Sequence, residues 1–154
     1  MSDTDIIRAI NLYKADWVVL TGGEPSLLID ADFIRLLKQT TGKKIAIETN
    51  GTHELPEGID WVTVSPKSGI EGVAGDTEVK VSRADEIKVV DVGQDLDVYF
   101  DLPCRGDSTL MYLQPCYVED MKKRKSNTLR TVRRIMEDPR WTLSLQTHRY
   151  LGIP

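Results

Sequence analysis

Apolar residues recur along the chain at two different spacings, and this alternation predicts both helices and strands. A first helix is predicted near the start of the chain, with Ser2 or Asp3 as its N-cap. One face of this helix carries Ile6, Ile7 and Ile10. Short apolar runs rich in β-branched residues follow, and their length is typical of strands. We predict strands over residues 16–21, 44–52, 60–69, 85–92, 108–115 and 141–146. The first of them, DWVVLT, is expected to be buried on both faces.

A second helix is predicted within residues 29–44. Asp30 or Asp32 can cap this helix, and Gly42 lies just past its end. Its apolar side is expected to consist of Phe33, Leu36 and Leu37.

Another helix is predicted near the C-terminal end. The segment from Met121 to Asp138 begins with basic residues, Asn127 is the predicted cap, and Pro139 ends the helix. Its apolar positions at helical spacing are Leu129, Val132 and Met136. Residues 69–84 are the least patterned part of the chain and are predicted to form an irregular loop.

The composition indicates one globular domain over residues 1–154. The chain has 154 residues, of which 40% are hydrophobic, enough for one sizeable core. The formal net charge is -4 and the charges are interspersed, so direct nucleic-acid binding is not expected. No apolar run is long enough to span a membrane, and the acidic start does not resemble a signal peptide. We therefore expect a soluble cytoplasmic protein.

The two cysteines are expected to be structural free thiols. Cys104 and Cys116 lie twelve positions apart, without the short spacing of a metal-binding pair. A lone and distant pair in a cytosolic chain usually stays reduced.

Strands that alternate in part with helices predict an α/β fold with a largely parallel sheet. In such folds, ligands bind beyond the carboxyl ends of the strands. Four predicted strands end in polar or conformationally special residues, in the sequences TGGEP, ETNGT, SPK and LQP. The pattern therefore predicts a ligand site along one edge of the sheet.

The sequence Gly22-Gly23-Glu24 after the first strand has two interpretations. It can be a tight turn that carries a solvated carboxylate, because glycine turns are common. Alternatively, the glycines leave the backbone uncovered for a ligand, and Glu24 accepts hydrogen bonds from an ammonium group of that ligand. The preceding strand, the following helix and the three other polar strand endings favour a ligand site.

These motifs resemble those of a known enzyme family. TGGEP resembles the Gly-Gly-Glu-Pro motif of radical S-adenosylmethionine enzymes. Together, VVLTGGEPSLLID, IETNGT, DWVTVSPK, DEIKVV, YLQP and WTLSLQTHRYLGIP resemble the 7-carboxy-7-deazaguanine synthases of that superfamily, nearly from end to end. The resemblance implies an incomplete (β/α) barrel of the radical S-adenosylmethionine type.

The resemblance also implies a reaction and its cofactors. The reaction is the ring contraction of 6-carboxy-5,6,7,8-tetrahydropterin to 7-carboxy-7-deazaguanine, with loss of ammonia, in the biosynthesis of queuosine or other 7-deazapurines. The implied cofactors are S-adenosylmethionine, a [4Fe-4S] cluster and Mg²⁺. The implied partner is thus a small pterin substrate.

Individual residues acquire implied roles by the same resemblance. The residues implied to bind S-adenosylmethionine are Gly22, Gly23, Glu24, Asn50, Ser65, Pro66, Lys67 and Gln114. Among them, Gly23 and Glu24 are implied to hold the methionyl amine. The residues implied to contact the substrate are Thr21, His148 and Pro154. Pro154 would do so through the terminal carboxylate, which can accept two donors in one plane.

Without the resemblance, three of these positions have simpler interpretations. Asn50 precedes a glycine and is most often part of a turn. Lys67 follows Ser-Pro and is then a solvated turn lysine. His148 is by default a surface histidine.

One part of the family pattern has no counterpart in this sequence. Family members begin with a strand and a loop whose three cysteines bind the cluster, and Met1 matches the helix after that loop. The barrel is therefore expected to lack its first strand and cluster loop. Because such a cluster needs three thiolates, the chain as written is expected to be inactive.

Three explanations are consistent with that difference. We favour a truncated gene or a misassigned start, because the downstream motifs are intact. The chain could instead be a degenerate protein that still binds a ligand, or a non-catalytic partner that pairs with a full-length homologue through an exposed strand edge. A homodimer is also expected.

Overall fold

The computed structural model describes residues 2–73 and 75–153 as an open parallel sheet with helices. The strands are β1 Trp17–Leu20, β2 Lys44–Thr49, β3 Trp61–Val64, β4 Ala84–Asp91, β5 Arg105–Pro115 and β6 Thr142–Leu143. The helices are α1 Asp3–Ile10, α2 Ala31–Thr41, α3 Met121–Glu137 and α4 Thr147–Leu151. Short 3-10 helices span Pro25–Leu27 and Asp97–Asp101.

The strands lie in the sheet in the same order as in the chain, from β1 to β6, and every neighbouring pair is parallel. The sheet does not close, since β1 and β6 lie at opposite edges. This arrangement confirms the predicted α/β fold with a parallel sheet, and it has the form of a partial barrel.

Helices cover one face of the sheet. Ile7 of α1 and Ile34 and Leu37 of α2 are buried there. They belong to one core with alternate strand residues, which include Ile45, Ile47, Val62, Val64, Ile87, Val89 and Leu113. Because side chains alternate along a strand, residues such as Glu48 and Lys88 lie on the opposite side of the sheet, which we call the open face.

The predicted caps of the first two helices are confirmed. Ser2 and Asp5 form a capping box at the start of α1. Asp30 caps α2, accepting a hydrogen bond from Phe33 N at 2.8 Å, and Gly42 ends this helix with φ of 66°.

The prediction that the first strand is buried on both faces is wrong. Trp17 and Val19 of β1 are 42% and 54% exposed. In the part of the chain that the structure describes, β1 pairs only with β2 and forms an edge of the sheet. Its other residues, Val18 and Leu20, pack partly against the core.

Two predictions about helices are also wrong. Asn127 is not a cap, because α3 begins at Met121 and Asp120 caps it by accepting from Lys123 N at 2.8 Å. Leu36 of α2 is exposed, because the buried side of this helix is centred on Ile34 and Leu37.

The last strand is shorter than the predicted 141–146. Only Thr142 and Leu143 pair with β5. Trp141 precedes them and is 2% exposed, packed edge-on against Phe100 at a centroid distance of 5.1 Å. Packing of the indole thus replaces strand pairing at this position.

The predicted irregular loop is present, with neither helix nor strand in the described residues between β3 and β4. The end of this loop is nevertheless anchored, because the backbone N–H groups of Lys80 and Val81 both donate hydrogen bonds to the carbonyl oxygen of Gly51.

The helices in the described ranges are each too short or too polar to cross a lipid bilayer.

Candidate ligand site at the carboxyl ends of the strands

The Glu24 carboxylate joins the loops that follow β1 and β2. Its Oε1 accepts hydrogen bonds from Thr49 Oγ1 at 2.6 Å and from the hydroxyl and N–H of Ser26 at 2.8 and 3.1 Å. Its Oε2 accepts from Asn50 N at 2.7 Å. A carboxylate oxygen can accept about two hydrogen bonds, so Oε2 retains capacity for a further donor.

The same contacts keep Glu24 ionised at neutral pH. Burial alone would raise the pKa of this carboxyl, but hydrogen bonds from Thr49, Asn50 and Ser26 outweigh burial and lower the pKa below its usual value. The site therefore contains a fixed negative charge.

Gly22 and Gly23 leave the backbone uncovered beside Glu24. Their φ angles are +90° and +53°, and a Cβ added at either residue would meet no described atom within 4 Å. Residues other than glycine rarely adopt such angles. The two glycines therefore shape a loop whose peptide groups a ligand can approach closely.

Ser65, Pro66 and Lys67 follow β3 on the other side of Thr49. Ser65 N donates to the carbonyl of Thr49 at 2.7 Å, and Lys67 Nζ donates to Ser65 Oγ at 2.9 Å. Pro66 is buried, whereas its two neighbours are half-buried. The segment is thus held against the end of β2.

Lys67 provides the positive counterpart of Glu24. Burial lowers the pKa of its ammonium group below the usual value, while the Glu24 charge opposes this shift and the Lys88 charge adds to it. A half-buried ammonium and a half-buried carboxylate at one edge of a sheet match a ligand that carries both an amine and a carboxylate.

Asn50 and Gln114 contribute differently to this edge. The side-chain oxygen of Asn50 accepts hydrogen bonds from Thr52 N and Oγ1 at 2.8 and 2.7 Å, so it shapes the loop after β2. Gln114 lies opposite Val90 near the end of β5 and is half-buried. Thr21 is exposed between β1 and Gly22. The roles of these side chains in binding remain predictions.

His148 lies on α4 and is exposed. The next residue, Arg149, stacks over the ring of Tyr117 at 4.3 Å, while Arg124 of α3 donates to the hydroxyl of this tyrosine at 3.1 Å. Since Tyr117 follows β5, the stack holds α4 near the carboxyl ends of the strands. Pro154 lies outside the described residues.

The described residues do not provide the ligands of an iron-sulfur cluster. Cys104 is buried just before β5, whereas Cys116 directly follows that strand. The two thiols therefore lie at opposite ends of β5. Within residues 2–73 and 75–153, no group of three or more His, Cys, Asp or Glu residues could hold a metal ion. A cluster held by three thiolates therefore does not fit the side chains present there.

The sequence interpretation missed the residues that support the site. Thr49 and Ser26 bind Glu24, yet hydroxyl residues near a strand end are too common to be recognised by pattern. A cavity of about 400 Å³ was also missed; it lies between residues 54–59 and Arg83. It lies at the amino ends of β3 and β4, away from the predicted site residues.

A parallel sheet with charged and glycine-rich loops gathered at one end defines an α/β protein with a candidate ligand site at the carboxyl ends of its strands. No protein-family profile matches the chain. It is 45% identical over 153 residues to the 7-carboxy-7-deazaguanine synthase of Bacteroides thetaiotaomicron and 44% identical over 140 residues to that of Nitratidesulfovibrio vulgaris. The chain belongs to the 7-carboxy-7-deazaguanine synthase family.

A solved structure agrees with this relationship. The crystal structure of QueE from Escherichia coli matches with a TM-score of 0.69 and 31% sequence identity, over 95% of this chain and 64% of that chain. The two relatives above match 99% and 90% of this chain, which in turn spans 74% and 59% of their lengths. The chain is therefore shorter than the relatives that it matches.

Proposed function

We propose that the chain forms the S-adenosylmethionine-binding and substrate-binding part of a 7-carboxy-7-deazaguanine synthase. The reaction is the conversion of 6-carboxy-5,6,7,8-tetrahydropterin to 7-carboxy-7-deazaguanine with loss of ammonia. The observation that carries this proposal is the position of the Glu24 carboxylate and the Lys67 ammonium group at the same end of the sheet, beside the uncovered Gly22-Gly23 backbone.

The methionyl group of S-adenosylmethionine fits these residues. Its ammonium group would donate to Glu24 Oε2, which has capacity for a further donor, and its carboxylate would accept from Lys67. The peptide groups of Gly22 and Gly23 would lie against the ligand, since no side chain covers them. The adenosine is assigned to Ser65, Pro66 and Gln114.

The pterin is assigned to the residues around this cofactor site. Thr21 adjoins the open glycine loop, and His148 extends from α4, which the Tyr117 stack holds near the same edge. Pro154 would bind the amino-pyrimidine edge of the pterin through its terminal carboxylate. We propose that the protein acts in the cytoplasm as a homodimer.

Radical chemistry requires a cluster as well as this nucleotide. A reduced [4Fe-4S] cluster beside bound S-adenosylmethionine would supply the radical that this reaction needs. The described side chains lack the three thiolates for this cluster, so their own roles are to bind and orient the two organic ligands. Because Cys104 and Cys116 lie at opposite ends of β5, they cannot bind one cluster together. This separation favours a second candidate function, that of a family member that binds its ligand without catalysis.

Calorimetric titration with S-adenosylhomocysteine tests the binding site. This ligand retains the amine and carboxylate, whereas 5′-methylthioadenosine lacks both. The variant Glu24→Gln should weaken S-adenosylhomocysteine binding at least about tenfold, the scale of one charge-assisted hydrogen bond, and leave 5′-methylthioadenosine binding unchanged. Glu137→Gln, an exposed residue at the end of α3, is the matched control.

Two results would contradict the proposal. If the unmodified chain binds neither nucleoside, the chain lacks the proposed cofactor site. If Glu24→Gln binds S-adenosylhomocysteine as tightly as the unmodified chain does, Glu24 does not hold the amine. Assay of product after iron-sulfur reconstitution separates the two candidates, because turnover supports a synthase and binding without turnover supports a non-catalytic protein.

A further inference from the structure

The contact between Arg149 and Tyr117 joins α4 to the segment that follows β5. Among the described residues from 147 to 153, every hydrogen bond stays within residues 145–153. The guanidinium carbon of Arg149, by contrast, lies 4.3 Å from the centroid of the Tyr117 ring. For those residues, this stack is the contact that fixes α4 against another part of the fold.

The Tyr117 ring is itself held by α3. Arg124 Nη1 donates to the Tyr117 hydroxyl at 3.1 Å, and the guanidinium carbon of Arg124 lies 5.2 Å from the ring centroid. Asn127 Nδ2 of the same helix donates to the carbonyl of Cys116 at 2.9 Å. The long helix α3 thus fixes a ring on which the short helix α4 rests.

Tyr117 also lies next to the candidate ligand site. It is the third residue after Gln114 and the second after the end of β5. The segment that leads into α4 packs at the same place, because one narrow crevice is lined by Pro115, Cys116, Tyr117, Leu145 and Gln146. The chain therefore enters α4 directly against the carboxyl end of β5.

We infer that Tyr117 is a positioning residue for the pterin: α3 fixes its ring, and the ring fixes Arg149 and therefore α4, which carries His148. The inference rests on the proposed function for the identity of the ligand. A tyrosine suits this role, because an aromatic face attracts a guanidinium group without a carboxylate. The stack therefore adds no negative charge beside a substrate that itself carries a carboxylate.

The first test needs no ligand. Because the ring current of an aromatic side chain shifts nearby protons upfield in NMR spectra, the side-chain protons of Arg149 report on the stack, with their assignment from Arg149→Lys. Tyr117→Leu should abolish the upfield shift, and Tyr117→Phe should retain it. Arg124→Met should reduce it, since α3 then loses both arginine contacts with the ring. Arg133→Met, on the exposed side of the same helix, is the matched control and should leave it unchanged.

The second test is calorimetric titration with 7-carboxy-7-deazaguanine, the product of the proposed reaction. Tyr117→Leu should weaken product binding about threefold to tenfold, the scale of a cation–π contact. Binding of S-adenosylhomocysteine should not change, because Glu24 and Lys67 lie after β1 and β3. Tyr117→Phe should bind the product within about twofold of the unmodified chain, since the aromatic face is kept. Tyr13→Leu, at an exposed tyrosine, is the matched control.

A double variant tests whether Arg149 acts through the ring. If it does, Tyr117→Leu combined with Arg149→Met should bind the product no more weakly than Tyr117→Leu alone. Losses that add would mean that Arg149 contacts the ligand by itself, and they would overturn the inference. If Tyr117→Leu does not fold, Arg149→Met breaks the same contact from the exposed side and takes its place.

The two tests also separate this role of Tyr117 from the proposed function. If the unmodified chain binds neither S-adenosylhomocysteine nor the product, the proposed function fails, and the NMR comparison alone decides whether Tyr117 positions α4. An Arg149 signal that is unchanged in Tyr117→Leu overturns the inference. So does an equal loss of both ligands in that variant, because Tyr117 would then support the end of the sheet in general.

Discussion

Arg134 of α3 donates to Oδ1 of Asp91 at 2.7 Å, and this ion pair fastens the helix to the carboxyl end of β4. Asp91 is fully buried. It also accepts from Thr131 Oγ1 at 2.7 Å, from Arg130 Nε at 3.3 Å and from Gly93 N at 3.0 Å. A buried carboxylate is tolerated when it is paired and hydrogen-bonded in this way.

We expect Arg134→Met to reduce the free energy of unfolding by about 2 kcal/mol, because a buried carboxylate loses its closest charged partner. This loss of stability is smaller than if Arg134 were the sole charged partner of Asp91, since Arg130 still contacts the carboxylate. Urea denaturation followed by circular dichroism measures the change. Arg133→Met, on the exposed side of the same helix, should change stability by less than about 0.5 kcal/mol; equal losses in the two variants would contradict the role of the ion pair.

The contribution of Asp91 should depend on pH. Burial would raise the pKa of this carboxyl, but hydrogen bonds from Thr131, Arg134 and Gly93, together with the Arg130 charge, lower it below its usual value. A group with a lowered folded-state pKa stabilises the protein above its unfolded pKa, and this stabilisation is lost as pH falls through the folded pKa.

The measurement is the difference in unfolding free energy between the unmodified chain and Asp91→Asn at a series of pH values. This difference should be constant near neutral pH and shrink as pH falls below about 4, the usual pKa of an aspartate. The comparison cancels the other carboxylates, which titrate in both proteins. A difference that stays constant down to pH 2 would exclude a lowered pKa for Asp91.

Gly51→Ala should destabilise the protein through steric overlap as well as backbone strain. Gly51 has φ of +82°, and an added Cβ would lie 3.0 Å from Val64 Cγ1 and 3.2 Å from Val79 Cγ1. Gly72 has nearly the same φ, +80°, but an added Cβ there meets no described atom within 4 Å. Gly72→Ala should therefore cost about 1 kcal/mol from strain alone, and Gly51→Ala about 2–4 kcal/mol.

Thermal unfolding of both glycine variants checks this prediction. A similar shift of the melting temperature in the two proteins would mean that Val64 and Val79 move aside at little cost.

Thr49→Val should shift the pH dependence of ligand binding. Thr49 Oγ1 donates to Glu24 Oε1, so its removal raises the pKa of Glu24. An ammonium ligand needs the ionised carboxylate, and binding is therefore lost as pH falls through that pKa. Titrations with S-adenosylhomocysteine between pH 7 and 4 should show this loss at a higher pH in Thr49→Val than in the unmodified chain. Thr142→Val on the opposite edge strand, β6, serves as the control. If Thr49→Val and the unmodified chain lose binding at the same pH, Thr49 does not influence the ligand site.

Much of the fold was predictable because local signals agreed with the tertiary structure. The runs around Ile45 and Ile87 are apolar and β-branched, and both became central strands. Asp30 and Gly42 could be recognised as helix caps, since their effects on the backbone are local. The exposure of Trp17 and Val19 could not be predicted from the apolar run itself, because it depends on which strands lie beside β1. Only the expected loss of the barrel's first strand implied an exposed edge there.

The candidate site was predictable only in part. Gly22 and Gly23 are informative because positive φ angles strongly favour glycine. The contact between Tyr117 and Arg149 joins residues on either side of α3 and β6 in the chain, and it follows from how α4 packs at the end of β5. Nothing in the local sequence of either residue indicates that they meet.

The order of the strands in the sheet also bears on biosynthesis. Since each strand pairs with the next one in the chain, a growing polypeptide can add strands to the sheet in the order in which they leave the ribosome. Glu24, Thr49 and Ser65 would then meet while α3 is still unsynthesised. The loops that form the candidate ligand site can thus be in place before the ion pair between Asp91 and Arg134 closes the other half of the fold.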